Sequence, residues 1–146
     1  MIVLDTNVVS ELFRPARLRD SHVNAWFSAL AAASVSLNRV TEAEIWAGAY
    51  GHRDRRQSEM LFEYWRDLAG RLAILEFDAI ASRLTAQFMG HRRRAGRPVS
   101  FADAAIAGIA LANDCSVATR NTKDFEGSGL ILVNPFDPVR DEPPQE

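Results

Sequence analysis

Met1-Ile2-Val3-Leu4-Asp5-Thr6-Asn7 opens the chain with an apolar run that stops at a carboxylate. A short continuous aliphatic run, without the alternation of a half-exposed strand, is the pattern of a strand buried on both faces. Such strands belong to parallel sheets, and open parallel sheets bind their ligands just beyond the carboxyl ends of the strands. Asp5 therefore stands where an α/β protein keeps its chemistry.

Working outward from this strand at 2–4, further runs rich in Val, Ile and Leu predict strands near 34–37, 72–76, 115–119 and 130–133. Helical patterns fill 7–14, 22–32, 41–51, 57–70, 79–95 and 101–113, with Pro15, Gly70, Gly96-Arg97-Pro98 and Gly127-Ser128-Gly129 as punctuation. Alternating strands and helices imply right-handed crossovers and a mostly parallel sheet covered on both faces, a three-layer α/β/α sandwich. No internal repeat or second domain is visible. Residues 1–136 read as one domain, and 137–146, acidic and rich in proline, as a flexible tail.

At 146 residues and 47% hydrophobic, the chain is long and apolar enough to bury a core. One cysteine, Cys115, excludes an internal disulfide and reads as core filler, which fits a reducing compartment. No cleavable leader pattern precedes the first strand, and the longest apolar stretch, Phe101 to Ala112, carries Asp103 and is too short for a bilayer. A cytoplasmic protein without membrane contact is expected. The net charge is −2, of which the last ten residues contribute −3, leaving the body at +1. Its cations are arginines apart from Lys123, and they cluster at Arg14/Arg17/Arg19, Arg53/Arg55/Arg56 and Arg92/Arg93/Arg94/Arg97. Arginine forks suit phosphate oxygens and partner carboxylates equally well, and a solvated helix end is the plainer reading of each cluster.

Three more acids stand at the starts of predicted helices: Glu44, Asp103 and Asp124. Each has a structural explanation, because Thr41-x-x-Glu44 and Ser100-x-x-Asp103 fit the capping box and Asn121-x-x-Asp124 resembles it. As a set they say more. Helices that follow parallel strands begin at the carboxyl edge of the sheet, so connectivity alone delivers Asp5, Glu44 and Asp124 there, while Asp103 must be brought by packing. Converging carboxylates repel and raise one another's pKa, so such a cluster needs a cation. Hard oxygen donors without a nearby cysteine or histidine point to Mg²⁺ or Mn²⁺.

Other chemistries lack their signatures. His22, His52 and His91 are scattered and without ligand spacing, there is no Gly-x-Ser-x-Gly, and neither phosphate-binding glycine loop is present. A phosphoryl-accepting receiver domain would need an acidic pair after the first strand, where Asp5 is followed by Thr6-Asn7. Metal-assisted hydrolysis remains.

Asp5-Thr-Asn7, Glu44-Ile-Trp-Ala-Gly48, Ser100-x-x-Asp103-Ala-x-Ile-Ala107 and Thr119-Arg-Asn-Thr-Lys-Asp-Phe125 occur here in an order and spacing that resembles the PIN-domain family, and most of all its VapC-type toxins. The resemblance runs from Met1 to about Phe136. It implies a Mg²⁺- or Mn²⁺-dependent endoribonuclease working as a homodimer and neutralised by a small cognate antitoxin whose C-terminal segment lies across the active site. Carried over by position, Asp5, Glu44 and Asp103 match the family acids, and the fourth falls at Asn121 or, preferably, Asp124. Asp5 and Asp103 would hold metal directly, Glu44 and Asp124 directly or through water, with Asn7, Ser100 and Asn121 as orienting groups. Glu42 lies on another helix face and is a decoy. Arg92, Arg93, Arg94 and Arg97, expected in a loop near Asp103, would grip the RNA backbone.

The helix over 57–70 carries more apolar residues than one core stripe requires, which marks Phe62 and Trp65 as candidates for the antitoxin surface, with Trp26 and Phe27 as similar ones. A reading from a different class is a binding subunit that occupies operator DNA with its antitoxin and has weak or incidental nuclease activity. No helix-turn-helix signature is present, so DNA contact would come through the antitoxin.

Overall fold

The computed structural model describes residues 1–138; residues 139–146, most of the expected tail, lie outside the described residues. Five strands, β1 (Ile2–Leu4), β2 (Val35–Asn38), β3 (Ala73–Leu75), β4 (Ser116–Ala118) and β5 (Leu132–Val133), form one sheet in the order β3-β2-β1-β4-β5. Every pairing is parallel, so the sheet expected to be mostly parallel is wholly so. Ile2 aligns with Val35 on one side and Ser116 on the other. The chain runs from β1 outward to β3 and then returns to the far side of β1, which makes the carboxyl edge between β1 and β4 the topological switch point.

Helices α1 (Thr6–Leu12), α2 (Ser21–Ser28), α3 (Arg39–Gly51), α4 (Arg55–Ala69), α5 (Ala79–Arg94) and α6 (Phe101–Ala112) cover both faces. Successive residues of β1 serve opposite cores. Leu4 packs with Val8, Val9, Leu37, Ile45 and Trp65, whereas Val3 packs with Phe88, Ala104, Ile106, Val117 and Phe125. The sandwich inferred from strand and helix alternation is the observed architecture. Cys115 fills the second core, where burial raises its thiol above the ordinary range.

Each helix start has a side-chain cap: Asp5, Asp20, Asn38, Asp54, Asp78 and Ser100 for α1 to α6 in turn. Among the boundaries that differ from expectation, two have a clear physical cause. The second helix stops at Ser28 rather than 32, because the Ala29 amide is shared between the Ala25 and Trp26 carbonyls, that of Leu30 turns to Phe27 three residues back, and the chain enters β2 through a 3₁₀ turn at Ala32–Ser34. The third helix starts at Arg39, not 41: Asn38 accepts from the Thr41 amide at 2.8 Å while donating to the Leu4 carbonyl at 3.0 Å. Thr41 is thus inside the helix, and Glu44 sits in its second turn, free of the capping box expected for it.

Helix α6 shows how Asp103 is brought to the edge. Ala104 through Ala110 are all buried, and Gly108 lets α5 approach so closely that a Cβ there would stand 2.5 Å from the Ala81 carbonyl oxygen. This contact anchors α6 between the sheet and α5, with its first turn at the carboxyl edge.

Candidate active site

Asp5 ends β1 and caps α1, and its side chain is 4% exposed. Its amide continues the ladder to the Ala118 carbonyl at 2.9 Å. Both carboxylate oxygens accept hydrogen bonds: Oδ1 from the Thr6 amide at 2.7 Å, Oδ2 from the Thr119 hydroxyl at 2.7 Å and the Asn7 amide group at 3.1 Å. Burial pushes the Asp5 carboxyl up from 3.8 to about 6; the bonds from Thr119 and Thr6 oppose that rise, and the charges of Asp103 and Glu44 add to it.

The other acids arrive from three different elements. Glu44 projects exposed from α3, and its Oε1 accepts from the Thr6 hydroxyl at 2.7 Å; that hydroxyl lies 3.0 Å from the Thr41 hydroxyl. Asp103 sits in the first turn of α6, its amide donating to Ser100 Oγ at 3.2 Å. Its carboxyl is raised by burial, lowered by bonding to Ser100, and raised again by Asp124 and Glu44. Asp124, half-buried, belongs to the 3₁₀ turn Thr122–Phe125 that follows β4. Asp5, Glu44, Asp103 and Asp124 therefore share one field of negative charge at the switch point. As placed, no three of the described histidine, cysteine or acidic side chains close around a common point. The donor set, hard carboxylate oxygens of which Asp5 and Asp103 are raised by burial and neighbouring charge, fits a divalent cation of the Mg²⁺ or Mn²⁺ kind.

A PIN domain profile matches residues 2–127. The chain belongs to the PIN-domain family. The plasmid stability protein StbB of Pseudomonas syringae pv. tomato is 40% identical to it, over 94% of this chain and 99% of that one. The VapC ribonuclease Y4jK of Sinorhizobium fredii is 39% identical, over 95% and 100%. In three dimensions this PIN domain superposes on FitAcB from Neisseria gonorrhoeae with a TM-score of 0.81 at 32% identity, covering 93% and 99% of the two chains; a related solved structure is FitAB bound to an IR36 DNA fragment.

The supporting groups of the PIN site are richer than the sequence indicated. Asn7 donates to Asp5 Oδ2 at 3.1 Å and accepts from the Arg120 amide at 3.1 Å, and Ser100 caps the helix of Asp103. Asn121 is exposed, and its amide donates to Thr119 Oγ1 at 3.0 Å while its side chain makes no capping bond. The roles of Thr6 and Thr119 are not evident in the sequence: both lie inside the motifs around Asp5 and Asp124, yet a threonine beside a strand end gives no sign in one dimension of which carboxylate its hydroxyl will reach. Glu42 faces away, accepting from Trp65 Nε1 at 2.9 Å and pairing with Arg39.

Two expectations on this PIN domain need correction. Arg92 is not in a loop and does not face solvent: it lies in the last turn of α5, 7% exposed, with its guanidinium given to the carbonyls of Arg97, Lys123 and Glu126. It ties α5 to the turn that carries Asp124. Arg93 and Arg94 are exposed in that same last turn of α5, and Arg97, beyond it, pairs with Glu126 at 2.8 Å. Trp65 is 2% exposed and belongs to the core, so it offers no outer surface, whereas Phe62 is half-buried in an edge-to-face cluster with Trp46 and Tyr50. The apolar residues of α4 divide between the first core, through Trp65 and Leu68, and an aromatic contact with α3 through Phe62.

Proposed function

We propose that this PIN domain is a divalent-metal-dependent endoribonuclease toxin that hydrolyses RNA phosphodiester bonds and is held inactive by a cognate antitoxin. The observation that supports the reading is the shared field of Asp5, Glu44, Asp103 and Asp124 at the carboxyl edge, where burial and neighbouring acidic charge raise Asp5 and Asp103. The naming of a relative as a VapC ribonuclease supports it. A bound Mg²⁺ or Mn²⁺ supplies positive charge against the phosphoryl oxygens and lowers the pKa of water beside it. Asp5 and Asp103 would hold the ion directly, Glu44 and Asp124 directly or through water. Thr119, Asn7 and the Thr6 amide keep the Asp5 oxygens aimed, and Thr6 does the same for Glu44. Arg93 and Arg94, with Arg97 nearby, would meet backbone phosphates beside Asp124. The products are a 5′-phosphate and a 3′-hydroxyl.

Two surfaces support the partners. A groove of about 390 Å³ between α1 and α4, walled by Phe13, Phe27 and Tyr64 with Arg14, Asp67 and Arg71 on its rim, suits an amphipathic antitoxin segment. A second hollow beside Glu44, walled by Val40, Ala43, Ala47, Phe77, Phe101 and Ala102, is almost wholly apolar, which suits a second copy of the chain. Phe101 is 61% exposed there, stacked edge-to-face on Phe77 at 6.1 Å.

The binding-subunit reading draws on the DNA-bound FitAB structure. Incubating the purified protein with total RNA in Mg²⁺, Mn²⁺ or EDTA, beside Asp5→Asn, separates the two. New 5′-phosphate ends that need metal and vanish in the variant are expected. Their absence with folded protein would leave the binding subunit, whose DNA contact comes through the antitoxin and is untouched by Asp5→Asn.

A further inference from the structure

Arg120 follows Thr119 directly and is exposed at the carboxyl edge. Its amide donates to Asn7 Oδ1 at 3.1 Å, so its backbone is fastened to the residue that holds Asp5. Its guanidinium carbon lies 3.7 Å from the centroid of the Phe136 ring. A guanidinium resting on an aromatic face loses much of its rotamer freedom while the N–H edge of its fork stays open. Phe136 is seated independently of the arginine, since it packs against the first core and its amide donates to Asn134 Oδ1 at 3.0 Å.

The other arginines with placed partners around the edge are committed. Arg39 is tied to Glu42 and Glu76, Arg97 to Glu126, and Arg92 to three carbonyls. Among the described residues no carboxylate oxygen stands within 4.0 Å of the Arg120 guanidinium nitrogens. Asp20 feels its charge, but the Asp20 Oδ1 already accepts from the amides of His22 and Val23. The result is a preordered fork, without a carboxylate partner among the described residues, one residue from the group that aims Asp5. Arg93 and Arg94 lie on the α5 side of the site, and Arg120 lies on the α1 and α2 side. Four carboxylates between these flanks repel a polyanion, so a strand that crosses them must be held on both sides.

We propose that Arg120, laid on Phe136, binds a phosphate of the RNA strand flanking the scissile one, on the opposite flank from Arg93 and Arg94. This rests on the nuclease reading. A short fluorescein-labelled single-stranded RNA, titrated by anisotropy into Asp5→Asn protein across a salt series, tests it. Adding Arg120→Gln is expected to weaken binding about tenfold and to reduce the slope of log affinity against log salt by about 0.7, the value for one phosphate contact on a single strand. Arg120→Lys keeps the slope, and Phe136→Leu keeps the slope while losing a few-fold in affinity. In otherwise unsubstituted protein, Arg120→Gln raises KM and leaves kcat in place. Unchanged affinity and slope in Arg120→Gln, when the parent binds RNA and the unsubstituted protein cleaves it, would overturn the role of Arg120 alone. Loss of affinity with an unchanged slope, shared by Arg120→Lys, would assign the residue to holding Phe136 and overturn it as well. No RNA binding by the Asp5→Asn parent together with no cleavage by the unsubstituted protein overturns this proposal and the nuclease reading alike.

Discussion

Thr119 and Asp5, 114 residues apart in the chain, meet at the carboxyl edge of the sheet, where the Thr119 hydroxyl donates to Oδ2 of Asp5 at 2.7 Å. The same oxygen of Thr119 accepts from the amide of Asn121 at 3.0 Å, so one hydroxyl links the last residues of β4, the following turn and the buried acid. Thr119→Val keeps the shape and removes the link. Loss of a hydrogen bond to a buried charged group costs about 2 kcal/mol. We expect that loss in urea unfolding, together with at least a tenfold fall in RNA cleavage, and unchanged cleavage would show that Asp5 is aimed by Thr6 and Asn7 alone.

The raised carboxyl of Asp5 sets a pH dependence. Because its folded value, about 6, exceeds the ordinary 3.8, the folded protein binds more protons than the unfolded chain between those values, and this group's contribution to stability falls as pH rises through the window. The full change is about 3 kcal/mol. Asp5→Asn removes the titration, so in EDTA the stability difference, variant minus wild type, rises between about pH 4 and pH 6 and then levels off. A flat difference from urea denaturation across this range would contradict the burial of the charged form.

A divalent cation held by these carboxylates would offset both the burial of the Asp5 charge and the repulsion from Asp103 and Glu44. Mg²⁺ or Mn²⁺ is therefore expected to raise Tm in proportion to the logarithm of its concentration above Kd, and Asp5→Asn and Asp103→Asn to blunt that rise. Thermal shifts in chelexed buffer with added metal measure this, and an equal shift in both variants would place the ion elsewhere.

The apolar hollow beside Glu44 predicts self-association through Phe101. A charge at this exposed position costs the monomer little and an apolar interface much, so Phe101→Glu should give a monomer by light scattering with its Tm within a few degrees of a dissociated wild type. A dimer that survives the substitution would move the interface to another face.

Gly108 supplies a test of how Asp103 is positioned. A Cβ there would run into the Thr85 hydroxyl and the Ala81 carbonyl oxygen, so Gly108→Ala must push α5 from α6. We expect a loss of about 3 kcal/mol and reduced cleavage. Full activity at unchanged stability would show that α6 does not depend on this contact for its place.

Much of this protein was legible in one dimension because its central strands, β1, β2 and β4, are short, largely buried aliphatic runs separated by helical segments with clear punctuation. The run at 2–4 ending in Asp5, the alternation of strands and helices and the parallel sandwich follow from local pattern and connectivity, whereas Glu44 lies in the second turn of its helix and Asp103 is placed by the packing of α6 on α5. What pattern could not supply was partnership at a distance. Asn38 rather than Thr41 caps α3, because its amide group also reaches the Leu4 carbonyl on the neighbouring strand. Arg92 and Trp65 turned inward, since the carbonyls of the Lys123 and Glu126 turn and the carboxylate of Glu42 satisfy their polar atoms where they are buried. Thr6, Thr119 and Arg120 gained their roles from groups far away in the chain or, for Arg120, from the ring of Phe136. Side-chain hydrogen bonds depend on where two elements meet, and only the packed tertiary structure decides that.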